Sequence, residues 1–128
     1  MELYTVIAFI VVILFLVVAL FQILLVIGCP LGEFALGGMY KVLPMKLRFI
    51  SGINALVLLV MCGVFAAYTG LWSVSSSINF HMMASIITGF LVLNTIANLF
   101  SRSKKEKYVM TPLSGVMFLF CLYLVLFT

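Results

Sequence analysis

The sequence predicts an all-α, polytopic membrane protein, a single four-transmembrane-helix up-down bundle spanning residues 1–128. Two observations carry that expectation. Of the 128 residues 66% are apolar and 8% charged, a balance that cannot cover a water-soluble domain of this size with polar surface. The apolar residues also fall into runs long enough for helices to cross about 30 Å of hydrocarbon, with short connections between them. Short connections set successive helices antiparallel, so one domain of four spans follows.

The first run, 5–27, ends before Pro30, which cannot continue a helix. Its last residues, Val26-Ile27-Gly28-Cys29, look like a lipoprotein cleavage box, which would make the run a removable signal with a lipid on Cys29. The run lacks a positive n-region and exceeds the roughly 7–15 residues of a signal core, so it reads as the first span. The second run is 44–69 and the third 79–100. The fourth, 111–127, is short, yet at ~1.5 Å per residue it covers about 26 Å. Thr111 reads as its N-cap and Pro112 as its first helical residue.

Charge sets the orientation. The seven basic residues form two groups, Lys41, Lys46 and Arg48 around the first connection and Arg102, Lys104, Lys105 and Lys107 in the third. The second connection has no charged residue and the amino-terminal tail only Glu2. The positive-inside rule then places segments 28–43 and 101–110 in the cytoplasm and both termini outside. Juxtamembrane cations attract anionic head groups by about 1 kcal/mol each, so membrane lipids are expected partners. A six-residue basic run explained by topology does not point to nucleic acid. Tyr68, Trp72 and Phe80 fit an outer aromatic belt and Tyr40 and Tyr108 an inner one.

The first connection is rich in glycine yet apolar. Leu31, Phe34, Leu36 and Met39 would press a compact turn against the bundle, as a structural cap or as part of a ligand site in which Glu33 pairs with Lys46, Arg48 or a cationic group. The pattern Gly28-x-Pro30-x-Gly32-Glu33-x3-Gly37-Gly38, then Leu43-Pro44-x-Lys46-Leu47-Arg48, resembles an uncharacterised group of small four-span membrane proteins of Gram-positive bacteria. The stretch from Ser101 through Ser103-Lys104-Lys105-Glu106-Lys107-Tyr108-Val109-Met110-Thr111-Pro112 is similar to theirs as well. That resemblance covers essentially the whole chain and implies four spans in a bacterial cytoplasmic membrane. It implies no activity, substrate or site.

Polar residues within the spans are the informative ones, because each costs free energy in lipid unless it faces protein or water. Measured from the basic ends of their helices at ~1.5 Å per residue, Gln22 lies ~9 Å deep, Asn54 ~12 Å and Asn94 ~10 Å. These amides share one layer, Asn98 lies a turn from Asn94 on the same face, and Thr88 and Thr95 extend a polar stripe along the third helix. The layer either fixes helix register through hydrogen bonds or forms a cytoplasm-facing pocket. The other half of the bundle offers only isolated hydroxyls, with no ionisable path through the membrane.

On the second helix Gly52, Ala55, Leu59, Gly63, Ala66 and Gly70 recur at helical spacing, a strip suited to close helix approach and so to a homo-oligomer interface. Cys29, Cys62 and Cys121 differ too much in depth to bridge, which requires Cα atoms within about 7 Å, and read as reduced. His81 has no Cys, Asp or second His at ligand spacing and reads as interfacial. With no catalytic constellation, metal cluster or cofactor motif, the sequence points to a non-enzymatic binding or interaction module. Its expected ligand, a lipid or small molecule, would be held by Gln22, Glu33, Lys46, Arg48, Asn54, Asn94 and Asn98. A protein partner is the other expected contact, and the alternative function is a subunit of an oligomeric small transporter or channel.

Overall fold

A computed structural model describes residues 3–34, 40–71, 79–101 and 103–127, with Glu33 described in its backbone only. The expectations for Glu2, for segment 35–39 with Leu36 and Met39, for Trp72 and for Arg102 lie outside these residues, as does any role of the Glu33 side chain. In chain order the helices are α1 (Leu3–Val26), α2 (Met45–Tyr68), α3 (Phe80–Leu99) and α4 (Thr111–Leu126). A 3-10 turn, Gly32–Phe34, follows α1, and a π-helical turn, Glu106–Met110, runs directly into α4. Each helix, the last counted from Glu106, is long and apolar enough to cross a membrane. The chain is a multi-pass membrane protein with an all-α four-helix bundle.

The ends of α1 and α2 are set by glycine. Gly28 and Gly70 have φ of 94° and 79°, the left-handed conformation that glycine adopts without a Cβ penalty. Cys29 N–H donates to Leu24 O at 3.0 Å and Leu71 N–H to Ala66 O at 2.9 Å, so each helix closes with a Schellman motif. Gly70 therefore belongs to the α2 terminus and not to a packing strip.

That strip is divided in other ways too. Ala55 and Ala66 are buried inside the single chain, and a Cβ on Gly52 would meet Val26 Cγ2 of α1 at 3.7 Å. Leu59 is exposed and Gly63 half-buried. Burial removes Ala55 and Ala66 from a surface offered to a second copy, because a helix of a four-helix bundle has neighbours within its own chain on two sides, while Gly52 stays half-buried beside Val26.

The last helix begins earlier than Thr111. Ser103 Oγ accepts from Glu106 N–H at 3.3 Å, and Lys107 N–H bonds Ser103 O at 2.9 Å, so Ser103 is the N-cap. Thr111 has helical φ and ψ of −64° and −51°, and its buried hydroxyl caps nothing. Pro112 lacks an N–H and its ring would press on the Tyr108 carbonyl in an unbroken α-helix. The π turn just before it absorbs that conflict.

α1 packs closely on α2 and α3 on α4, while the two hairpins meet more loosely. Away from the basic loops the interior is filled. Phe15 and Phe65 are fully buried and stack at 5.9 Å between ring centroids, with Val11, Cys121 and Leu124 also excluded from solvent. Tyr68 meets Phe65 edge-on at 6.3 Å and His81 at 5.6 Å, which leaves His81 as the exposed rim of this aromatic row. All three cysteines are free; Cys62 Sγ lies 3.8 Å from Val12 O.

Candidate polar cavity

At the end carrying the basic residues, the looser meeting of the two hairpins leaves a cavity of about 160 Å³. One water needs roughly 10–15 Å³ on this scale, so there is room for several waters or a small polar head group. Gln22 from α1, Asn54 from α2, Asn94 and Asn98 from α3, Ser114 from α4 and Glu106 from the π turn all line it. The expected amide layer is thus assembled in one place. Leu58, Met61, Leu91 and Met117 form the wall towards the filled half of the bundle, and Phe34 and Met110 stand at the loop end.

Two of the amides also hold the helices. Asn98 Nδ2 donates to Ser114 Oγ at 2.9 Å and Asn94 Nδ2 to the same oxygen at 3.3 Å. Gly115 beside it faces α3, since a Cβ there would make an ordinary 3.9 Å contact with Thr95 Cγ2. Across the cavity, the Gln22 and Asn54 amides form no hydrogen bond with any described residue. Half of the layer is therefore structural and half is open to an occupant.

The expected stripe along α3 does not extend the site. Thr88 Oγ1 and Thr95 Oγ1 each donate to the carbonyl four residues earlier, Ala84 and Leu91, both at 2.8 Å, so they satisfy themselves within the helix. Lys46 and Arg48 are not brought to the cavity either. Asn54 lies six residues beyond Arg48, about 120° round α2 at 100° per residue, so the cation and the amide face different neighbours. Lys46 is exposed, and Arg48 Nε donates to Leu43 O at 2.8 Å.

The loop end of the cavity is built from both basic connections. Gly32 N–H donates to Lys41 O at 2.9 Å, and a Cβ on Gly32 would collide with the Tyr40 carbonyl, so only glycine lets the loop close on itself here. The adjoining Phe34 ring carries Lys105 Nζ at 5.7 Å from its centroid, a cation–π contact between the first and third connections.

Ser114 and Glu106 escaped the sequence reading. Ser114 lies in the fourth run at about the same depth as Asn98 in the third, and the same counting that placed the amides would have found it. Ser103-Lys104-Lys105-Glu106 has the spacing of a capping box, which signals a helix start and turns Glu106 from a loop residue into a helical one that is 7% exposed. Among the described residues no three His, Cys, Asp or Glu side chains come together as a metal site. Comparison of the chain with protein-family models, curated proteins and solved structures finds no match.

Proposed function

We propose that this protein is a non-enzymatic binding module of a bacterial cytoplasmic membrane. Its cavity takes the polar part of a lipid or small molecule from the cytoplasmic side. The observation that carries the reading is the convergence of Gln22 and Asn54, unpartnered among the described residues, with Asn94, Asn98 and the Glu106 carboxyl around one 160 Å³ space. Amides offer both donors and acceptors, so hydroxyl- or amide-bearing groups match this lining. The filled core around Phe15 and Phe65 makes the cavity blind, which favours holding a ligand over passing it through. A transporter or channel built from several copies is the competing reading, and a path through one chain would have to break that core.

Orientation with the basic end inward rests on the positive-inside rule. Self-association is part of the reading through Leu59 and half-buried Gly63, the portion of the small-residue strip left outside. The deciding experiment is native mass spectrometry from nanodiscs. A reproducible small adduct on the wild type, lost in Asn54→Leu and Asn94→Leu variants of unchanged helix content, is the expected result. A bare protein, or an adduct indifferent to both substitutions, overturns the proposal. In the same spectra Gly63→Ile is expected to lower the assembly mass, and an unchanged mass removes the interface.

A further inference from the structure

The outer surface of α1 and α2 carries a second concavity, separate from the polar cavity and independent of its function. It measures about 430 Å³ and is lined by Val26, Arg48, Phe49, Gly52, Ile53 and Leu56, with Met45 at its rim. That volume falls in the range of about 300–1,000 Å³ usual for ligand sites. The groove exists because Gly52 has no side chain opposite Val26.

Arg48 is its sole charged lining residue among the described residues, and its side chain is held in place. Nε donates to Leu43 O at 2.8 Å, which fixes the plane of the guanidinium. The terminal nitrogens have no hydrogen-bond acceptor among the described residues, and a Cβ on Gly28 would stand 3.0 Å from Nη2. The left-handed Gly28 thus lets the guanidinium lie against the end of α1 with its outer donors unspent. A fixed pair of N–H donors is the geometry that matches phosphate oxygens.

The depth is also right for a lipid. Arg48 lies in the first turn of α2, which starts at Met45, so it sits at head-group level. The residues from Phe49 to Leu56 run about 10 Å further along the helix into hydrocarbon at ~1.5 Å per residue. We infer that this groove seats one anionic phospholipid, its phosphate on Arg48 and one acyl chain along Gly52 between Val26 and Ile53. The occupant is anionic because exposed Lys46 adds a second cation at the same end of α2 and the chain as a whole carries +4.

The test is native mass spectrometry of the full chain from nanodiscs holding equal phosphatidylglycerol and phosphatidylcholine. Wild type is expected to retain phosphatidylglycerol at least fivefold over phosphatidylcholine. Arg48→Gln is expected to abolish the preference, and Gly52→Leu, which keeps the cation and fills the groove, to lower the retained lipid several-fold at unchanged helix content. Lys104→Gln removes a basic charge elsewhere and is expected to change nothing. Equal retention of the two lipids by wild type overturns the proposal. So does a preference untouched by Arg48→Gln and Gly52→Leu, or one lost as readily in Lys104→Gln, which would assign it to the general field of the basic loops.

Discussion

Asn98 and Ser114 join α3 to α4 through a single hydroxyl, which accepts from Asn98 Nδ2 at 2.9 Å and from Asn94 Nδ2 at 3.3 Å. In a bilayer the apolar effect that drives helices together in water is absent, so such bonds and close packing decide which faces meet. A one-residue slip of α4 would turn Ser114 about 100° away and strand two amides. The same pair thereby fixes the position of the cavity wall.

Ser114→Ala is expected to cost about 1 kcal/mol, the scale of interhelical hydrogen bonds in membranes, because the amides regain part of their bonding from water in the cavity. Reversible unfolding in mixed micelles measures it. A loss well below a few tenths of a kcal/mol would show that packing alone holds the α3–α4 register.

Gly32→Ala is expected to open the first connection, since the added Cβ would run into the Tyr40 carbonyl. The bond from Gly32 N–H to Lys41 O would break and the Phe34 ring would leave Lys105. Hydrogen exchange should rise several-fold at residues 31–34 and 40–43 while the cores of the four helices stay protected. Unchanged exchange in the loop would refute the steric argument.

The architecture was legible because a bilayer imposes length and apolarity on each span, so the four runs and their approximate boundaries followed from composition. The amide layer was legible for a related reason, as depth along a helix can be counted. What could not be counted was azimuth. Lys46 and Arg48 lie near Asn54 in sequence but face another way, and Ala55 and Ala66 are buried within the chain where the strip pattern suggested a second copy. The α4 start was misplaced because Pro112 usually marks a first turn. Here a π turn carries the helix back past it to Ser103.

Orientation gives a third prediction through a native thiol. Cys29 is half-buried at the end of α1, whereas Cys62 and Cys121 are buried within the bundle. A membrane-impermeant maleimide should therefore modify one site, Cys29, in inside-out vesicles and none in right-side-out ones, with Cys29→Ser abolishing the signal. Labelling of Cys29 from the outer side would invert the proposed topology.

The π turn supplies the last prediction. Glu106 stands at its start and is 7% exposed, while Lys104 two residues earlier is exposed. A π turn holds one residue more than an α turn over the same rise, so deleting Val109 should restore a plain α-helix and rotate everything before it by about 100° relative to α4. Glu106 would then swing out of the cavity while α4 keeps its contact between Ser114 and Asn98. In a Cys29→Ser background, Glu106→Cys should react with a maleimide at least tenfold more slowly than Lys104→Cys, and the Val109 deletion should bring the two rates together. Equal rates before the deletion would place residue 106 outside the cavity and leave the π turn as an accommodation of Pro112 alone.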